Sequence, residues 1–287
     1  MARVRVITDS SACLPDRAVE DPGVRVLPIS ILLPDGEWPD SPATAARVYA
    51  ALASGQPVRS SPPTAVEYLD AVEGGEFDAA VVVTPAVEFT VMYRNATVAG
   101  RLSARPVEVV DCRTAASAQT LVVLAVLDAV DAGASASDAA AVARSVAAEA
   151  DLVAALPTMT AVEHNASLPP SSAGRVDAGM PSLFRFHNGA VTHFGDVRPG
   201  VDAVDAIRQA WAEHGGSDGH RVGGSLNAGR GTSALVFHAA EEELARRLAQ
   251  TLPGHPGVVP FSPAMAIHTG PGWLGLAWLA ARRVPSS

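Results

Sequence analysis

Apolar and polar positions alternate along this chain in blocks that read as strands feeding helices. Residues 4–7 form a short β-branched run that stops at the polar cluster Thr8-Asp9-Ser10-Ser11. Residues 24–33 make a second extended stretch, closed by Pro34-Asp35-Gly36. Residues 44–53 place Ala45, Val48, Tyr49 and Leu52 at helical spacing, and 63–72 predicts another helix with proline at its start. Residues 79–84 are continuously apolar, as expected of a parallel strand covered on both faces. A helix over 90–102, a strand over 107–110 and two Ala-rich helices over 115–132 and 137–150 complete the alternation. Such an order implies a parallel sheet with helices on both faces.

The pattern then changes. Residues 183–186 and 191–194 flank Asn188-Gly189, a tight-turn pair, and predict a β-hairpin. A helix is expected over 201–213, a strand over 234–238 and a helix over 241–252. A final strand is expected over 265–268 and an apolar closing helix over 272–281. Between them, residues 214–231 hold seven glycines in 18 positions and read as a loop. The expected architecture is therefore α/β with two α/β domains. Residues 1–155 would carry the parallel sheet, and 156–287 a smaller mixed sheet with helices.

Composition narrows the chemistry. All 21 basic residues are arginine. A chain without lysine has no Walker A loop and no Schiff-base or pyridoxal chemistry. The net charge of −9 and the lack of a basic stripe argue against a nucleic-acid partner. Two cysteines, Cys13 and Cys112, are too few for a disulfide framework and fit a reducing compartment. The most apolar stretch, 121–127, is far below the ~20 residues needed to span a bilayer. A cytoplasmic protein without a signal segment, metal site or stable membrane insertion is expected.

Candidate chemistry gathers where strands end, which is where open α/β sheets bind ligands. Four ends stand out: Thr8 with Asp9, Ser10 and Ser11; Ser60-Ser61; residues 84–90 with Thr90; and His268-Thr269-Gly270. Read singly, Asp9 to Ser11, Ser60 or Ser61, and Thr90 are also ordinary helix caps. His268 with Thr269-Gly270-Pro271-Gly272 reads as a turn feeding a helix N-terminus, suited to an anion. No GxSxG, GxGxxG or HExxH motif occurs. A hydrolase or transferase acting on a small acylated or phosphorylated substrate at the same cleft remains the alternative to a binding protein.

In order along the chain, Ile7-Thr8-Asp9-Ser10-Ser11, Leu27-Pro28-Ile29-Ser30-Ile31, Arg59-Ser60-Ser61-Pro62-Pro63, Phe89-Thr90-Val91-Met92-Tyr93, Val110-Asp111-Cys112 and His268-Thr269-Gly270-Pro271-Gly272 resemble the motifs of the DegV family of bacterial fatty-acid-binding proteins. The resemblance implies a non-catalytic protein without a cofactor. A long-chain fatty acid would lie in an apolar cavity of the first domain, its carboxylate held at the interdomain cleft by Ser60, Thr90 and His268. Asp9, Ser10, Ser11, Ser61, Thr269 and Gly270 would lie around the head group. The resemblance also implies a fatty acid kinase as partner, to which some members hand the acid. Two segments depart from the family pattern. Thr90-Val91-Met92 stands where the family has Ser-Gly-Thr, and residues 163–169 stand where it often has Gly-Gly-Arg-Ile.

Overall fold

The computed structural model describes residues 2–156, 181–197, 200–214 and 233–279. A four-stranded parallel sheet is built from β1 (Val4–Asp9), β2 (Val24–Leu27), β6 (Ala79–Thr84) and β7 (Val107–Asp111), in the order β2-β1-β6-β7. The strand alternation sorts its side chains onto two faces. Val4, Val6, Val81 and Val83 pack with helices Ala116–Asp131 and Ala136–Ala147. Ile7, Ala80 and Val82 face helices Ala65–Glu73 and Met92–Leu102 on the other side. Helices thus cover both faces, as the continuous apolar run at 79–84 implies.

The stretch expected as one extended segment over 24–33 is two strands in two sheets. Pro28 and Ile29 separate β2 from β3 (Ser30–Leu33). β3 pairs antiparallel with β4 (Gly36–Pro39) and β5 (Arg59–Ser61) in a small three-stranded sheet.

The mixed sheet is the wider of the two main sheets, not the smaller. Its six strands follow the order β10-β9-β8-β13-β11-β12, with β8 Ala150–Leu156, β9 Ser182–His187, β10 Ala190–Asp196, β11 Ala234–His238, β12 Gly257–Pro260 and β13 Leu274–Leu279. Only β11 and β12 pair in parallel. β8 spans the residue-155 boundary and pairs with β9 and β13, so the chain enters the mixed sheet at residue 150. The hairpin is as expected, with Asn188 and Gly189 both at positive φ (52° and 77°). The glycine-rich stretch 215–231 and the 163–169 segment lie outside the described residues.

Two expectations near the C-terminus are reversed. Residues 265–268 belong to a helix, Pro263–Thr269, not to a strand. Pro263 sits at its first position, and the Ser262 Oγ accepts from Met265 N at 3.3 Å. The stretch expected as a helix over 272–281 instead contains β13, placed centrally in the mixed sheet. A central strand covered on both faces has the same continuous apolar signature as a buried helix, so periodicity alone does not separate them. Gly275 lets β13 pair closely with β11: a Cβ added to it would lie 2.1 Å from Cζ of its cross-strand partner Phe237.

Helix Ala116–Asp131 lies between the two main sheets. It is buried over nearly all of its surface, and its side chains join a single apolar cluster with Val6 and Val81 on one side and Leu152, Phe184 and Leu235 on the other. An all-round apolar helix too short to span a membrane is stable in a protein core. No described helix is long and apolar enough to cross a membrane.

Candidate ligand-binding site

The loops at the carboxyl ends of β1, β6 and β7 meet β5, helix Pro263–Thr269 and residues of the mixed sheet around a cavity of about 270 Å³. Its walls are largely apolar: Ile29, Met92, Phe89, Phe186, Phe261 and Trp273 are among them. Its polar side chains are Ser11, Ser60, Thr90, His268 and Thr269. Five of the nine residues named from the sequence therefore line one space.

Ser60 and His268 touch. Ser60 Oγ lies 3.0 Å from His268 Nε2, across 208 positions of sequence. Ser60 is held in β5 by its pairing with Ile31. Because side chains alternate along a strand, its neighbour Ser61 points the other way and is exposed. Neither serine caps a helix. That role falls to Thr64, which forms a reciprocal capping box with Glu67. Thr90 is not a cap either, since helix Met92–Leu102 begins at Val91 without a side-chain cap.

His268 occupies the last turn of its helix, and Gly270, at φ 78°, terminates it. The expected helix N-terminus after His268 is not there. The segment leads into β13, so this end of the helix offers carbonyls rather than N–H groups to an anion. Burial pushes the imidazole below its ordinary range, which favours the neutral ring.

Ser11 lines the floor, and Asp9 lies behind it. Asp9 is fully buried and caps the short 3-10 turn Ser10–Ala12 by accepting from Ser11 N at 3.0 Å. The Ser11 hydroxyl also donates to Asp9 Oδ1. Gln119, buried in the central helix, donates from Nε2 to Asp9 Oδ2 at 3.1 Å and to Thr8 Oγ1 at 3.0 Å. Desolvation is the largest influence on Asp9. It raises the carboxyl to about 6 despite the hydrogen bonds from Ser11 and Gln119 that oppose it. Ser10 turns away from the cavity and accepts from Ile29 N at 3.0 Å, tying the connection between β2 and β3 to the β1 end.

Sequence reasoning missed two parts of the site. Asp40, after β4, is buried. Its Oδ1 accepts from Ala264 N at 2.9 Å, and its other oxygen accepts from the Ser262 hydroxyl. It thereby fixes the start of the helix that carries His268. The Asp40 carboxyl is raised, with desolvation as the main cause. No short motif marks it; only proximity in the fold does. The second missed part is an aromatic wall. Phe186 meets Phe89 edge-on at 6.2 Å between ring centroids and Trp273 at 5.9 Å, and Trp273 stacks on Phe261 at 5.3 Å. These rings come from four separate places in the chain, so no local pattern announces them.

Fold and site together define a mixed α/β protein with an apolar cavity where a parallel and a mixed sheet meet, rimmed by hydroxyls and one imidazole. A family model described as "Uncharacterised protein, DegV family" matches residues 3–281, and the chain belongs to the DegV family. A DegV domain-containing protein of Streptomyces coelicolor is 27% identical over 286 residues, covering 95% of this chain and 97% of that protein. Among solved structures, a Thermotoga maritima protein described as revealing fatty acid binding function is similar at TM-score 0.79 and 19% identity, over 98% of this chain and all of that one. A DegV protein of Bacillus subtilis, described as a fatty acid binding protein, is similar at TM-score 0.81 and 17% identity, over 98% of this chain and 100% of that chain. A Eubacterium eligens family member loaded with heptadecanoic acid is similar at TM-score 0.79 and 14% identity, with 97% and 100% coverage.

Proposed function

We propose that this protein is a non-catalytic carrier of a long-chain fatty acid. The acyl tail occupies the apolar cavity between Ile29, Met92 and the aromatic wall, and the head group sits at Ser60, Thr90 and His268. The observation that carries this reading is the Ser60–His268 contact at the rim of the same apolar cavity that Thr90 lines. Several structurally similar family members are described as fatty acid binding proteins, which supports the ligand class.

The energetics suit that division of labour. Burying a C16 chain gains ~0.8 kcal/mol per CH₂, on the order of 10 kcal/mol before ordering costs. The tail supplies affinity, and the polar groups set orientation. We also propose that the held acid is presented to a separate fatty acid kinase, as the family resemblance implies.

Native mass spectrometry of the purified protein tests the carrier reading. A co-purifying mass of a fatty acid is expected. A protein that is empty, and that takes up no palmitate or oleate when offered, would remove it. A second reading is favoured by one observation: a serine Oγ at 3.0 Å from a histidine Nε2 is also the geometry of a nucleophile and its base. Turnover of an acyl ester that vanishes in His268→Ala would establish a hydrolase instead.

A further inference from the structure

The head-group end of the cavity is unusual in its charge. Behind its floor lie two buried carboxyls, Asp9 at 0% and Asp40 at 5% exposure, and each raises the cost of another negative charge nearby. The helix that bears His268 ends there, carbonyls outward. Among the described residues that line the cavity, none is arginine. The favourable group is the N-terminus of helix Ala116–Asp131, at Ala115 and Ala116. A helix end contributes about 0.3–1 kcal/mol, up to ~2 kcal/mol when partly buried. An unpaired buried carboxylate costs several kcal/mol. The helix end alone does not offset that cost, and protonating the head group removes it.

Ser11 shows how a head group is accommodated. It has one hydroxyl proton and two nearby acceptors, the Asp9 carboxylate Oδ1 and, at 3.4 Å, the weaker amide acceptor Gln119 Oε1. The proton goes to Asp9. What Ser11 then offers the cavity is a lone pair, which calls for a donor on the ligand. Extending the fatty-acid reading on which it rests, we propose that the bound acid and Asp9 share a single proton through the Ser11 hydroxyl, so that the ligand is held neutral. The acid's O–H donates to Ser11 Oγ, and Ser11 O–H donates to Asp9. The free acid anion and the free Asp9 carboxylate therefore take one proton from solvent as the complex forms.

The other groups around Asp9 do not supply that proton. Gln119 and Thr8 do not titrate. The Tyr68 phenol, across the sheet on helix Ala65–Glu73, and the Cys13 and Cys112 thiols are pushed up by burial and stay neutral. Asp40 is raised too, but it faces Ser10, Ser262 and the Ala264 N–H and does not line the cavity. His268, shifted down, is neutral above pH 7. Asp9 titrates at about 6, so above pH 7 the free protein carries it ionised.

Titration calorimetry with monomeric decanoic acid and with decan-1-ol, at pH 7 and pH 9 in buffers of different ionisation enthalpy, reads this directly. The acid is expected to take up about one proton on binding and to weaken about 100-fold over the two pH units, while the alcohol keeps one Kd. In Asp9→Asn the uptake is lost, with decan-1-ol binding as the check that the variant is folded. Decanoic acid that binds with no proton uptake and an unchanged Kd in the wild-type protein would overturn the shared proton and leave the fatty-acid reading standing. Failure of both probes to bind at either pH would overturn both.

Discussion

Asp40 Oδ1 accepts a hydrogen bond from the backbone N–H of Ala264 at 2.9 Å, across 224 positions of sequence. The bond joins the end of the small three-stranded sheet to the helix that carries His268. The proposed head-group site therefore depends on a residue that does not touch the cavity. Ser262, the N-cap of that helix, gives its own hydroxyl proton to the same carboxyl.

Asp40→Ala should destabilise the fold by about 1–3 kcal/mol, since it leaves the buried Ala264 N–H and the Ser262 hydroxyl without their acceptor. It should also weaken fatty-acid binding beyond the stability loss, because helix Pro263–Thr269 loses its anchor. Urea unfolding gives the first effect and ligand titration of the folded fraction gives the second. Unchanged affinity would show that His268 is placed by other contacts.

Ser60→Ala and His268→Ala should each lower fatty-acid affinity by roughly 5- to 30-fold, about 1–2 kcal/mol for one hydrogen bond lost at a buried head group. The double variant should lose less than the sum, because each residue is the other's partner at 3.0 Å. Binding of a labelled C16 acid measures all three. Fully additive losses would mean that the two residues act separately on the ligand.

The pH dependence of stability should carry a contribution from Asp9. Its folded carboxyl titrates at about 6, above the ordinary unfolded value of ~3.9. The folded state therefore binds more protons in that window, and stability falls as pH rises from about 4 to about 6. The ionised form is penalised by on the order of 2–3 kcal/mol. Comparing urea midpoints of the wild type and Asp9→Asn across pH 4–7 isolates the effect. A constant difference between them over that window would contradict the assignment.

Gly275→Ala should destabilise strongly, by about 1–3 kcal/mol or more. The added Cβ would lie 2.1 Å from the Phe237 ring, in a central strand where neither neighbour has room to withdraw. Thermal unfolding should show a lowered Tm, and Phe237→Ala should recover part of the loss in the double variant. No recovery would place the strain elsewhere.

The first half of the chain was legible because its signals are local. A β-branched run ending in Thr8-Asp9-Ser10-Ser11 and a continuous apolar run at 79–84 each report their own burial, and the structure has β1 and β6 there. The Asn188-Gly189 pair likewise announces its hairpin through the positive φ it permits. The C-terminal stretch was not legible. Residues 263–269 and 274–279 are short and apolar, and an apolar run of that length suits a buried helix turn or a central strand equally. Strand Ala150–Leu156 was missed for the same reason: it follows Ala-rich helices without any change of composition.

For the site, sequence alone supplied residue types in an order: hydroxyls at Ser11, Ser60 and Thr90, an imidazole at His268, and no lysine anywhere. Tertiary structure decided which of them share a cavity, that Ser60 faces it while Ser61 does not, and that His268 stands at the carbonyl end of a helix rather than before an N-terminus. It also supplied Asp40 and the wall of Phe186, Phe261 and Trp273. The physical reason is range. Periodicity and capping are interactions over a few residues and are written locally. The field and the shape of a cavity are set by groups that meet only after the chain has closed on itself.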